Sequence, residues 1–263
     1  MTDVLRGKWA LISGASSGLG ADFARQLAAM GVNVVLVARR EDRLQAVAAE
    51  VRQTYGVQAE VIALDLSQEG APQRLHDRLT AAGRSIDVLI NNAGFGLYGR
   101  FTELDWAREH EMLQIDITAL VHMTRLFAAD MVARKSGYIL QVSSIGAFTP
   151  SPLYASYSAA KSFVLHFSEA INYELRGTGV SVTTTCPGPA ETEFLAVAGQ
   201  DQTWYQRLTM MKSPDVVRIS LNAMLRRKGS IVPGLMNAFS AWSFRLLPRR
   251  LSTALAERTM RSN

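Results

Sequence analysis

Tyr157 and Lys161 stand four residues apart in Leu153–Gly177, a stretch whose apolar spacing predicts a helix. Residues at that spacing share a helical face, one turn apart. A free phenol has a pKa of about 10, and an ammonium beside it favours the phenolate and lowers that value. A phenol tuned in this way can give a proton to an alkoxide forming from a carbonyl, or take it back in reverse. Tyr154 lies seven residues before Lys161 and is a second phenol to weigh. Ser143 and Ser144 follow an apolar run and can offer a hydroxyl to the same carbonyl oxygen, supporting its developing charge.

A second group of residues suits phosphate. The loop Gly14-Ala15-Ser16-Ser17-Gly18-Leu19-Gly20 joins a predicted strand to a predicted helix. Free backbone N–H groups and the positive end of the helix dipole meet there, and glycines permit the tight turn and close backbone approach. The next strand ends at Arg39-Arg40. An NAD site usually has a carboxylate there for the ribose 2′-hydroxyl. Two guanidinium groups pair instead with a 2′-phosphate, which favours NADP(H) over NAD. Glu41 and Asp42 follow one and two residues too late for the carboxylate role.

These residues need a scaffold, and the chain supplies one. Apolar runs Lys8–Ser13, Asn33–Ala38, Gln58–Leu64, Asp87–Asn91, Gly137–Val142, Val180–Thr185 and Ser230–Val232 read as strands. Leu19–Met30, Glu41–Tyr55, Glu69–Ala82, a long Asp105–Lys135, Leu153–Gly177 and Pro214–Arg227 read as helices between them. Runs that are apolar throughout suit strands buried on both faces. The alternation predicts an α/β fold, a parallel sheet of about seven strands with helices on both sides. No linker, repeat or low-complexity segment interrupts it, so residues 1–234 form one domain and 235–263 a C-terminal extension of it.

The 263 residues are 48% hydrophobic and 19% charged, which excludes a disordered chain or a disulfide scaffold. The single cysteine, Cys186, permits no internal disulfide and reads as a buried small residue. His76, His110, His122 and His166 are dispersed, so no metal site is expected. Met1–Lys8 has no apolar core of a secretory signal and no stretch has the length of a membrane span, so a cytoplasmic location is expected. Net charge is +5, but Arg226–Asn263 carries eight basic residues against Glu257 alone, +7, which leaves −2 on the rest. No aromatic-interleaved basic stripe accompanies it, so nucleic acid is not an expected partner. Phe239, Trp242, Phe244, Leu246 and Leu247 stand among those arginines. Packing on the protein itself or on a partner subunit ranks first for this tail, and peripheral contact with a membrane second.

Taken in order, these residues resemble the classical short-chain dehydrogenase/reductase family, and more finely its bacterial ketoreductase-like members. The resemblance covers residues 8 to about 234. It rests on Gly14-x3-Gly18-x-Gly20, Asp65-Leu66 after the third strand, Asn91-Asn92-Ala93-Gly94 after the fourth, Ser144-x12-Tyr157-x3-Lys161, and Pro187-Gly188 with Thr192. It implies a single Rossmann-type doubly wound domain and an NADP-dependent oxidoreductase acting on a small molecule. The substrate class it implies is an apolar ketone or aldehyde, 3-oxoacyl or steroid-like. Catalysis would fall to Ser144, Tyr157 and Lys161, and the substrate would meet Ser144, Tyr154 and Tyr157. The cofactor would meet Gly14, Ser16, Ser17, Gly18, Leu19, Gly20, Arg39, Arg40, Asp65, Leu66, Asn92, Ala93, Gly94, Tyr157, Lys161, Pro187, Gly188 and Thr192. The resemblance also implies a substrate lid after Pro187-Gly188, around Phe194, Leu195, Trp204, Leu208, Met210 and Met211, and a homodimer or homotetramer joined through the two long helices.

Two departures keep alternatives open. Asp116 stands where the family often has an asparagine that holds a proton-relay water, and a carboxylate there can pair with Lys161. Tyr154 and Lys161 also fit the Tyr-x6-Lys spacing of short-chain enoyl reductases, which would make the protein a C=C reductase. A third reading is a regulatory protein that senses NADP without turnover.

Overall fold

The computed structural model describes residues 2–244 and 246–261; Arg245, counted above in the basic tail, lies outside the described residues, as do Met1, Ser262 and Asn263. Seven strands form one parallel sheet: β1 (Trp9–Ser13), β2 (Asn33–Ala38), β3 (Ala59–Ala63), β4 (Val88–Asn91), β5 (Gly137–Val142), β6 (Val180–Thr185) and β7 (Ser230–Ile231), in the order β3-β2-β1-β4-β5-β6-β7. The order reverses between β1 and β4, and ligands of such sheets bind at that crevice beyond the strand ends.

The strands are apolar throughout because successive side chains enter opposite cores. Ala10, Ile12, Val34, Leu36, Val88 and Ile90 point to one face, where α1 (Gly18–Ala29), α2 (Glu41–Tyr55) and α9 (Ser213–Leu225) pack. Leu11, Val35, Val37, Leu89 and Ile139 point to the other, under α3 (Ala71–Ala81), α5 (Leu120–Ala133) and α6 (Ala155–Glu174). Local chemistry sets the ends. α2 opens on Glu41 and Asp42, favourable at the positive helix end, and stops at Gly56 in the left-handed region.

The helix predicted over Asp105–Lys135 is broken into two. α4 (Trp106–Leu113) runs into a π-helical turn, Gln114–Ala119, before α5 begins. A π turn carries one residue more than the α-helical count, and such turns concentrate at functional sites. Asp116 sits on this one.

The segment after β6 is helical but short-paced: α7 (Phe194–Ala198), α8 (Trp204–Thr209), then, past α9 and β7, α10 (Leu235–Ser243) and α11 (Arg249–Met260). The tail docks on the rest of the chain. The Asn237 side chain, 1% exposed, donates to the carbonyls of Thr209 and Pro233. No described helix is long and apolar enough to cross a membrane.

Candidate active site

The ends of β1 and β4 are sewn together by side chains. Ser13 Oγ accepts from the N–H groups of Asn92 and Ala93, each at 3.0 Å, and donates to the Ile90 carbonyl. Asn92 Nδ2 donates to the Ser13 carbonyl at 3.0 Å and to that of Gly14 at 3.4 Å. The Asn92 amide therefore holds the loop in shape instead of reaching for a ligand. Gly14 has φ +67°, and a Cβ there would lie 2.8 Å from Asn92 Nδ2 and 2.9 Å from Ala93 Cα. A Cβ on Gly20 would collide with the Gly14 carbonyl. Thr192 lies over the loop, its methyl 3.1 Å from where a Gly18 Cβ would be. The N-cap Ser17 makes no side-chain capping bond, which leaves the first N–H groups of α1 without a side-chain acceptor. The arrangement fits the phosphates of a dinucleotide: a close backbone, free donors and a positive helix end.

From this loop a cleft of about 410 Å³ extends along the carboxyl ends of β1, β4, β5 and β6. Every site residue expected from the sequence lines it except Gly20, tucked behind the loop, and Asp116, which is wholly buried. Asp65 Oδ1 accepts from the Ser67 N–H at 2.9 Å and hydroxyl at 2.7 Å. Burial alone would raise the Asp65 carboxyl; these bonds and the charge of Arg39 outweigh it and hold the group below the ordinary carboxylate value.

The two arginines are already engaged. Arg39 meets Glu111 at 2.5 Å, while Arg40 reaches Glu193 at 3.1 Å, Ser17 Oγ at 2.8 Å and Ser16 Oγ at 3.2 Å. Arg43 shares Glu193 at 2.6 Å, and these two guanidinium groups hold the Glu193 carboxyl below its usual range. Sequence reasoning missed Glu111, Glu193 and Arg43. Arg39 and Arg40 are both open to solvent, which screens their ion pairs, so a phosphate dianion can displace either carboxylate.

At the other end of the cleft the turn after β5 and the first turns of α6 bring the chemistry together. Ser144 Oγ accepts from the Gly146 N–H at 3.1 Å and lies near enough to the Tyr157 hydroxyl to favour its ionised form. Ser143 faces the other way, its hydroxyl donating to the Lys161 carbonyl at 2.7 Å. Lys161 Nζ lies 3.2 Å from the Val142 carbonyl, 3.3 Å from Asp116 Oδ2 and 5.5 Å from the Tyr157 ring centre. The π turn supplies Asp116, whose wholly buried carboxyl faces the Lys161 ammonium and whose two oxygens accept no hydrogen bond. Burial raises that carboxyl against the opposing pull of Lys161.

The lowered Tyr157 pKa expected from the sequence joins Lys161 to an oxidised nicotinamide; with the protein's own groups alone the balance lies the other way. In the structure the phenol is pushed up, first by desolvation and then by the charge of Asp116, against the pull of the Ser144 hydroxyl. Asp116 lies against the ammonium and offsets it, an effect that spacing within α6 cannot reveal.

Tyr154 is buried beside Tyr157, ring centres 5.7 Å apart, but its hydroxyl is committed elsewhere. It donates to Gln200 Oε1 at 2.9 Å, and burial raises its pKa. Gln206 Nε2 donates to the same oxygen at 2.7 Å, and Gln200 Nε2 donates to the Met260 carbonyl at 2.6 Å. Gln200, Gln206 and Met260 thus line the cleft and tie α11 to its wall, and nothing in their sequence context marks them. Phe194 lies over Tyr157, ring centres 5.4 Å apart, and Leu195 lines the cleft. Met210 and Met211 do not line it, and Trp204 and Leu208 turn outward, so this part of the expected lid is surface rather than pocket. Cys186 is buried, its thiol pushed up to about 12 by desolvation. Among the described residues no three His, Cys, Asp or Glu side chains gather as metal ligands.

The geometry has clear counterparts. The family model for short chain dehydrogenases matches residues 8–203. The human inactive hydroxysteroid dehydrogenase-like protein 1 is 34% identical over 192 residues, 72% of this chain and 58% of its own length. The 7beta-hydroxysteroid dehydrogenase of Collinsella aerofaciens is 34% identical over 193 residues, 72% of this chain and 71% of that protein. The chain spans little more than half the length of the human relative. Among solved structures, a short-chain dehydrogenase from Sphingobium yanoikuyae in complex with NADPH superposes with a TM-score of 0.81 at 32% identity, covering 91% of this chain and 94% of that one. With a sheet order, a glycine cradle and a Ser-Tyr-Lys floor that all agree with the matched sequence, the chain belongs to the short chain dehydrogenase family.

Proposed function

We propose that the protein is an NADP(H)-dependent oxidoreductase that reduces a carbonyl on an apolar scaffold to an alcohol. The observation that carries this reading is that Ser144, Tyr157 and Lys161 line one floor of the cleft that begins at the glycine cradle, with the Lys161 ammonium 5.5 Å from the Tyr157 ring centre. Gly14–Gly20 would hold the pyrophosphate, Asp65 and Leu66 the adenine end, and Arg39 and Arg40 the 2′-phosphate. NADPH, when bound, supplies hydride.

The chain's own groups do the rest. Ser144 and Tyr157 present hydroxyls to one carbonyl oxygen and stabilise charge as it develops there. Tyr157 gives its proton to that oxygen. A phenol held above its ordinary pKa is fully protonated at neutral pH, which suits the reductive direction. Lys161 sits behind the phenol to offset the phenolate left after the transfer. Asp116 fixes the ammonium and moderates its charge. Phe194, Leu195 and Tyr154 give the substrate an apolar wall, consistent with a 3-oxoacyl or steroid-like molecule. The solved relative that binds NADPH and the relative named for a hydroxysteroid support the cofactor and substrate class. Pairing of two copies through α4, α5 and α6 is the companion expectation; Trp106, Phe163 and Tyr173 are exposed on α4 and α6.

The test is NADPH consumption over a panel of ketones, aldehydes and enones, with NADH as the control cofactor. Wild type, Tyr157→Phe and Tyr154→Phe are compared. Carbonyl reduction falls about a thousandfold in Tyr157→Phe and stays within about tenfold of wild type in Tyr154→Phe, which loses a hydrogen bond and no proton donor. Enone reduction lost only in Tyr154→Phe would instead make this a C=C reductase. A second reading, cofactor binding without turnover, is favoured by the raised Tyr157 and by the human relative named inactive. NADPH binding with no consumption across the panel would select it.

A further inference from the structure

Ten of the sixteen large apolar side chains left exposed among the described residues fall between Val197 and Leu255, all but Leu246 on helices. They are ordered. On α10, Leu235, Phe239 and Trp242 follow the i, i+4, i+7 spacing of one face and are 91%, 66% and 55% exposed, while Asn237 and Ala241 bury the opposite face. On α8, Trp204 and Leu208 are four apart and point outward. On α11, Leu251 and Leu255 do the same, with Ser252 and Ala256 buried behind them. The three helices are fastened together: Tyr205 on α8 donates to Ser240 Oγ on α10 at 3.3 Å, and α11 is held through Gln200 and Met260. Exposed apolar side chains gathered on helices that touch one another mark an interaction surface.

The charges on the same helices decide what covers it. Arg207 lies between Trp204 and Leu208, Lys212 follows α8, and Arg249 and Arg250 open α11; all four are exposed. Glu257 is the only acidic residue from position 226 onward. Two copies meeting through this face would bring their own arginines together. An anionic surface pairs with them while the aromatic rings enter its apolar boundary, the arrangement of an interfacial amphipathic helix. Gln206 on α8 and Met260 on α11 line the cleft, so its mouth opens beside these helices.

We infer that α8, α10 and α11 form a docking face for an anionic phospholipid bilayer, and that this face sets the mouth of the cleft at the lipid surface. The half of α10 and α11 that packs on the protein agrees with the self-packing expected of the tail; the other half is built for lipid. This inference does not depend on which reaction the cleft performs.

The experiment is sedimentation of the full chain with sucrose-loaded vesicles of phosphatidylcholine alone, or of phosphatidylcholine mixed with phosphatidylserine. Phe239→Ser with Trp242→Ser, and Arg249→Gln with Arg250→Gln, are run beside wild type, each with a thermal melt and a size-exclusion profile. Wild type binds the anionic vesicles, and neutral vesicles far less. The aromatic pair weakens partitioning about a hundredfold, the arginine pair about fivefold per charge removed. Melting temperatures stay the same because only exposed side chains change. Absence of wild-type binding to anionic vesicles overturns the inference, as does binding that neither pair alters. A wild-type dimer that becomes monomeric in the aromatic pair also overturns it and gives the face to a second copy.

Discussion

The glycine cradle and the α7–α8 wall face each other across one cleft, and they are made of different material. The cradle is backbone. Its shape depends on the absence of Cβ atoms at Gly14 and Gly20 and on amide bonds that sew β1 to β4. The opposite wall is side chain. Tyr154, Gln200, Gln206 and the Met260 carbonyl hold it through hydrogen bonds between residues far apart in sequence. A backbone site tolerates almost no change and serves a part of the ligand that is always the same. A side-chain wall can be rebuilt one contact at a time, which suits the part of the ligand that differs between relatives.

That contrast is open to attack, beginning with the cradle. Gly20→Ala places a Cβ against the Gly14 carbonyl, where no flexible side chain can give way. NADPH affinity, read by fluorescence titration, falls at least about a hundredfold, the equivalent of ~3 kcal/mol of strain. Normal binding would show that the loop deforms and that the cradle is not fixed by its backbone.

Asp116→Asn probes the seam between the two regions. The Asp116 charge helps hold Tyr157 above the ordinary phenol value, so removing it lets the phenolate form at lower pH. The rising limb of alcohol oxidation against pH moves down, and reduction at neutral pH stays within about tenfold, the scale of one charge-assisted bond. A limb that stays in place or moves up would separate Asp116 from the phenol.

The smallest effect belongs to the wall. Gln200→Leu removes the acceptor of Tyr154 and Gln206 and the donor to Met260. Substrate KM rises about threefold to tenfold with kcat within about twofold, the pattern of lost uniform binding. Melting drops by about 2–6 °C for ~1–2 kcal/mol of lost hydrogen bonding. A loss of kcat as large as that of Tyr157→Phe would make the wall part of the chemistry and erase the contrast.

The same difference of material explains what could be read from the sequence. Val34–Val37 can only be a strand covered on both faces, and Gly14, Gly18 and Gly20 are legible because a backbone site leaves its mark in residue type. Ser144, Tyr157 and Lys161 are legible because one turn of α6 and a fixed offset place them. Arg39 and Arg40 were visible as charges, but their partners Glu111 and Glu193 lie 72 and 153 positions away, where sequence spacing has no reach. Asp116 was visible as a departure, yet its effect on Tyr157 was not, since it acts through burial and through an ammonium on another helix. Gln200 and Gln206 carry no signal at all: a buried amide looks like a surface one until its partners are known.

The π turn at Gln114–Ala119 confines its effect to the carboxylate it carries. Each residue of an α-helix advances the chain by about 100° around its axis. The wider π turn takes up its surplus residue within one turn, so the helix after it keeps its rotational phase. With that phase, α5 turns Met123, Phe127 and Met131 onto the sheet, where each is at most 3% exposed. Deleting the surplus residue between α4 and α5 would regularise the helix, leave those three side chains in phase with the sheet and remove the bulge that carries Asp116. The bulge thus brings Asp116 up to Lys161 while α5 keeps its seat on the sheet, a change in the site that leaves the core as it was.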